Sequence, residues 1–227
     1  MNRFFIETSW RFIDQSLSML TRSPLESFAT DDTLCHVTGH GESSPVIRTW
    51  VHNESVVLGI QDHRLPHIEE GMQLLRAAGY EPIVRNSGGL AVVLDPGVLN
   101  ISLVFKENEP TSIDTAFGYM VDFVKALFPE VAEKIEAYEI VGSYCPGTYD
   151  LSINGKKFAG ISQRRMQKGI AVQIYLCIEG NGSKRAELIR DFYEVGLQGK
   201  ETKFTYPTVV PSVMASMQEL TGTSITV

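Results

Sequence analysis

The chain has no apolar run approaching the roughly 20 residues needed to cross a bilayer. Glu7 and Asp14 break up the N-terminal stretch where an export signal needs uninterrupted apolar residues, so no export signal is expected. Cysteine is scarce: Cys35, Cys145 and Cys177 are odd in number and widely spaced. That argues against a disulfide framework and fits a reducing cytoplasm. No G-x-x-x-x-G-K-S/T loop is present, and no G-x-G-x-x-G joins a strand to a helix, so the usual nucleotide-binding signatures are missing. A formal net charge of −7 speaks against nucleic-acid binding. Acidic residues are absent from 151–178, the stretch that holds Lys156, Lys157, Arg164, Arg165 and Lys168. One locally basic surface on an acidic chain points to an anionic ligand or an acidic partner. Lysines guarding a sheet edge leave the same trace.

What is present is enough for one substantial core: 227 residues, 43% of them hydrophobic, with no repeat or linker. A single domain over 1–227 is expected. Short apolar runs between turn residues predict strands over 45–52, 55–60, 82–86, 91–94, 98–105, 137–141, 149–153, 157–163 and 170–178. Asn154-Gly155 is the strongest hairpin signal, and Gln167-Lys168-Gly169 makes the next reversal. Helical spacing predicts helices over 65–78, 111–128 (capped by Thr111 or Ser112), 183–195 and 211–220, with a first helix or turn over 31–40. Consecutive hairpins with interspersed helices make the fold class α+β, a mainly antiparallel mixed sheet flanked by helices. The apolar run that ends at Val227, with no helix after it, reads as a C-terminal truncation.

The chemistry concentrates at Gly142-Ser143-Tyr144-Cys145-Pro146-Gly147-Thr148-Tyr149-Asp150. Pro146 and Gly147 break regular structure, so Cys145 sits on a loop, where a thiol near positive charge can be stabilised and reached. A second segment brings Arg85 into the Gly88-Gly89 turn, where glycines let backbone amides approach a ligand and Arg85 can meet an anion or an amide carbonyl. Lys157 follows the Asn154-Gly155 turn, and alternation leaves two placements open. It faces outward as most strand lysines do, or it enters a cleft and polarises a carbonyl. Cys177 lies in an apolar strand and is read as structural, as is Cys35. Cys35, His36 and His40 lack a fourth ligand, so neither metal nor cofactor is expected.

Taken together, WVHNESVVLGIQ, VRNSGGLAVVLDPGVLNISLVF, SYCPGTYDLSINGKKFAGISQRR and GIAVQIYL resemble the biotin/lipoate protein ligase and octanoyltransferase superfamily, in order from about Phe28 to Tyr193. The resemblance implies that fold, with Arg85, Ser87, Gly88, Gly89 and Ala91 in its acyl-binding loop and Lys157 and Gly160 in its Lys-x-x-Gly strand. SYCPGTYDLS with GKKFAGISQRR is similar to one branch, the H-protein-dependent N-octanoyltransferases of bacterial lipoate assembly. ATP-dependent ligases of the superfamily usually carry consecutive arginines before the Gly-Gly turn, where this chain has Arg85-Asn86, and they do not need a cysteine at position 145. The branch therefore implies a Cys145 acyl-thioester, with Lys157 as the second catalytic residue. The donor would be the octanoylated glycine cleavage H protein, and the acceptor a lysine of the lipoyl domains of 2-oxoacid dehydrogenases. Octanoyl-acyl carrier protein as donor, an ATP-dependent ligase and a non-catalytic carrier-domain binder stay as alternatives.

Overall fold

A computed structural model describes residues 3–6, 8–86, 88–107 and 111–227. In chain order the elements are α1 (Arg3–Ile6), β1 (Arg11–Gln15), α2 (Pro24–Gly39), β2 (Val46–Trp50), β3 (Ser55–Leu58), α3 (Ile68–Ala77), β4 (Glu81–Val84) and β5 (Val92–Leu94). There follow β6 (Val98–Lys106), α4 (Ile113–Leu127), β7 (Glu136–Ala137), β8 (Leu151–Ile153), β9 (Lys156–Met166), β10 (Gly169–Cys177), α5 (Gly182–Leu197) and α6 (Met217–Thr221).

Two turns organise the larger sheet. Asn154 and Gly155 both have positive φ, as do Gln167 and Lys168. Consecutive left-handed residues match the twist of flanking strands, so β8, β9 and β10 follow one another as tight hairpins. The sheet runs β1-β2-β6-β10-β9-β8-β7, antiparallel except for the β1–β2 pair. A second, three-stranded sheet runs β4-β3-β5, with β3 parallel to β4. The mainly antiparallel α+β expectation therefore holds, but over two sheets.

Register assigns the faces of the large sheet. Arg48 pairs with Ser102, Trp50 with Asn100, Gln173 with Ser102 and Ser162, and Tyr175 with Asn100 and Gly160. These residues share one face, toward α2 and the small sheet. Ile101, Leu103, Phe105, Val172 and Leu176 take the other face and pack with Ala116, Met120 and Val124 of α4. The small sheet contributes Val56, Val57, Leu58, Val92 and Leu94 to another cluster, closed by Leu75 of α3 and Ile189, Phe192 and Tyr193 of α5.

Several boundaries differ from expectation for local reasons. α2 starts at Pro24, because Ser23 caps it by accepting from the Leu25 N–H and Pro24 suits the first helical position. The expected 211–220 helix splits into a 3-10 turn, Pro211–Val213, and α6. Ser216 and Glu219 form a capping box that begins α6, and Gly222 ends it at φ 67°. Of the 137–141 region only Ala137 pairs as strand, in β7 with Glu136, since the chain then enters the Cys145 loop. β1 lies in a segment for which no strand was expected.

Candidate active site

Cys145 occupies a bend and, unusually for a non-glycine residue, a left-handed conformation with φ 44°. Such a conformation persists only where its surroundings hold it. Here the hold comes from beneath. The hairpin register places Lys157 opposite Ser152, fully buried and pointing into the back of the loop. Its Nζ lies 2.9 Å from Asp150 Oδ1 and donates to Ser143 Oγ at 3.2 Å, the Tyr144 carbonyl at 3.0 Å and the Cys145 carbonyl at 2.9 Å. Asp150 closes the other end, accepting from the Ile140 N–H and from Ser143 Oγ. Burial pushes the Asp150 carboxyl up, and the Lys157 charge opposes that shift.

Facing the thiol is the turn after β4. The Arg85 side chain folds over its own loop, Nε donating to the Gly88 carbonyl and Nη2 to the Leu90 carbonyl, each at 3.0 Å. Gly89 has φ +90°, and a Cβ there would collide with the Arg85 guanidinium while lying 3.9 Å from Cys145 Sγ. Only glycine lets the backbone pass between the two groups. Beneath the turn, Asp62 accepts from the Gly59 N–H at 2.7 Å and from Tyr193 Oη at 2.9 Å, and Tyr193 in turn accepts from the Ala91 N–H. Burial raises the Asp62 carboxyl to about 6.

Between these walls runs a cleft of about 410 Å³. Val57, Val92 and Leu94 of the small sheet and Phe28 and Trp50 opposite give it apolar sides; Cys145, Arg85, Gly88 and Gly89 lie along it, as does Gly160. A slot with apolar walls and polar groups at a few points suits a hydrocarbon chain carrying one reactive carbonyl.

The structure thus brings together Cys145, Arg85, Gly88, Gly89 and Gly160; Ser87 lies outside the described residues. Lys157 takes neither of the two placements: it is buried beneath the loop and does not line the cleft. Its three protons face four acceptors within the loop, so it braces the turn in this arrangement. Ala91, just before β5, is fully buried on the core side; the cleft wall falls to Val92 and Leu94. The basic surface is smaller than the sequence suggests, since Arg164 pairs with Asp32, Arg165 pairs with Glu107 and Lys157 is inside, which leaves Lys156 and Lys168 exposed. Cys35 and Cys177 are buried as expected. Sequence reasoning missed Asp150, although it closes the loop segment, because nothing in a one-dimensional pattern shows which lysine it meets. Tyr175 and Asp62 carried no local signal. Among the described residues no group of three or more His, Cys, Asp or Glu converges to hold a metal, and no helix is long and apolar enough to cross a membrane.

The model of the lipoyl protein ligase A/B catalytic domain matches residues 23–227. An octanoyl-[GcvH]:protein N-octanoyltransferase of Lysinibacillus sphaericus is 69% identical over 219 residues, covering 96% of this chain and 79% of the relative. The chain belongs to this family. Another member, from Geobacillus kaustophilus, is 56% identical over 222 residues, covering 97% of this chain and 78% of its own. Lipoate-protein ligase A bound with ATP shares the fold, with a TM-score of 0.67 at 18% identity over 96% of this chain and 79% of that one. In this N-octanoyltransferase family member, a thiol is set over a Gly-Gly turn and fastened from below by a buried ion pair.

Proposed function

We propose that residues 1–227 form one catalytic unit that moves an octanoyl group from the glycine cleavage H protein to a lysine of the lipoyl domains of 2-oxoacid dehydrogenases, through a thioester on Cys145, in the cytoplasm. The observation that carries this reading is the position of Cys145 on the cleft wall beside Gly89, in a braced turn. The activity named for relatives at 69% and 56% identity supports the same donor.

The chemistry is two acyl exchanges. The Cys145 sulfur attacks the amide carbonyl carbon of the octanoyl-lysine, a C–S bond forms, and the carbonyl electron pair moves onto oxygen. Collapse of that intermediate breaks the C–N bond, and the lysine amine leaves with the proton the thiol gave up. A second lysine amine then attacks the thioester and returns the thiol. Amide exchange between two similar lysines is nearly isoenergetic, so the overall reaction needs no ATP. The thioester lies uphill of either amide, which makes stabilisation of the tetrahedral oxyanion the central demand on the site. Arg85 keeps the Gly88-Gly89 turn closed beside the thiol, and Lys157 with Asp150 holds the turn on which the thiol sits.

The donor is tested by mixing the protein with octanoyl-H protein or, separately, with octanoyl-acyl carrier protein, plus a lipoyl domain and no ATP. Intact mass of the lipoyl domain should rise with the H-protein donor. Transfer from the acyl carrier protein alone would replace the donor assignment, and a requirement for ATP would replace the mechanism.

A further inference from the structure

Lys157 leaves a question: its protons are all engaged within the loop, yet the proposed reaction needs a donor aimed at the developing oxyanion. Among the described residues lining the cleft, Arg164 Nε and the Tyr175 hydroxyl are buried donors without a hydrogen-bond partner, and Arg164 is already held by its ion pair with Asp32. Tyr175 is 8% exposed, and its hydroxyl has no hydrogen-bond partner among the described residues. A buried hydroxyl without a partner is costly, and on the wall of a cleft a bound oxygen can supply the partner. Tyr175 lines the same cleft as Cys145. Its ring crosses Gly160, its partner on β9, so closely that a Cβ at 160 would stand 2.6 Å from a ring carbon and 3.0 Å from the hydroxyl. The glycine of the Lys-x-x-Gly strand is therefore what lets this phenol lie across the strand. Tyr144 stacks on the ring with centroids 6.0 Å apart, and Lys157 Nζ lies 5.8 Å from its centroid.

We propose that the Tyr175 hydroxyl donates a hydrogen bond to the acyl carbonyl oxygen as it becomes an oxyanion on the carbon bonded to Cys145. The bond is strongest when the carbonyl electron pair rests on oxygen and weakens as that pair returns to expel the amine. Tyr175 keeps its own proton throughout, so the balance of the exchange is unchanged. The phenol is suited to donating: burial first, then Tyr144, Asp150 and Cys145, hold its ionisation well above the ordinary range. Lys157 is in this assignment a positioning residue and Tyr175 a catalytic one.

This assignment rests on the Cys145 thioester reading, and the test separates the two. Tyr175→Phe and Cys145→Ala are assayed beside the wild type for ATP-free transfer from octanoyl-H protein, with the Cys145 iodoacetamide rate as a check on the loop. Tyr175→Phe should lower kcat about 100-fold, the effect of removing one oxyanion donor, with KM and alkylation rate near those of the wild type. Wild-type kcat in Tyr175→Phe beside a dead Cys145→Ala overturns the Tyr175 assignment and leaves the thioester reading standing. Activity in Cys145→Ala removes the reading on which it rests. If Tyr175→Phe does not fold, replacement of tyrosine by fluorotyrosine keeps the shape and makes the phenol a stronger acid. A kcat that does not respond to that change also overturns the assignment.

Discussion

Two fully buried ion pairs of the same length serve different ends. Arg48 meets Asp31 at 2.9 Å and Lys157 meets Asp150 at 2.9 Å. Arg48 of β2 spends its other donors on Ser27 and Gln15, while Asp31 of α2 also accepts from Ser102 and Gln173. Both charged residues stand in regular elements, and the network fastens a helix to a sheet. Lys157 stands in a strand but reaches out of it, and two of its bonds go to main-chain carbonyls of a loop. That pair fastens a bend holding Cys145 at a left-handed φ. Burial and charge alone thus do not mark a functional group; what the spare donors hold does.

The sharpest way to break this contrast is to remove one cation from each. Lys157→Ala and Arg48→Met should each cost about 3–5 kcal/mol in denaturant unfolding, since each strands a buried carboxylate. Transfer by the folded protein should separate them: a loss of about 100-fold in Lys157→Ala, from displacement of the thiol, and a kcat near wild type in Arg48→Met. Equal losses in both would erase the distinction.

A smaller effect concerns Asp62, which supports the turn opposite the thiol. Its folded value near 6 lies above the ordinary 3.8, so the folded state holds this proton more tightly than the unfolded chain does. The stability it contributes is complete below the ordinary value and is lost as pH rises through about 6. Melting temperature followed from pH 4 to 7 should therefore fall more steeply in the wild type than in Asp62→Asn. Parallel curves would place the Asp62 proton elsewhere.

The mildest perturbation compares the cysteines. Burial, with Asp31 and Asp32 nearby, pushes Cys35 up to about 12, and burial raises Cys177, whereas Cys145 is partly exposed on the cleft. Iodoacetamide at pH 8 should modify Cys145 and spare the other two in peptide mapping. Labelling of Cys35 or Cys177 at a similar rate would show that the core opens readily.

Much of the site was legible because its parts depend on local rules. Pro146 and Gly147 forced Cys145 out of regular structure, and Asn154-Gly155 set the hairpin that delivers Lys157. The facing of Lys157 was not legible, because alternation fixes parity and not which face is buried. Asp31 and Arg48 were invisible as a pair for a related reason: 17 residues and the α2–β2 connection separate them, and neither departs from what its own element tolerates. Tyr175 read as one more apolar strand residue. Only the β9–β10 register, which sets it on Gly160, turns its hydroxyl into something that needs a partner.

The central claim is that acyl transfer passes through Cys145. The most direct measurement is the rate of octanoyl transfer from octanoyl-H protein to a lipoyl domain, without ATP, by wild type and Cys145→Ala at matched folded concentration, read by intact mass. The account predicts transfer by the wild type and none by Cys145→Ala. Transfer by Cys145→Ala at the wild-type rate would contradict it.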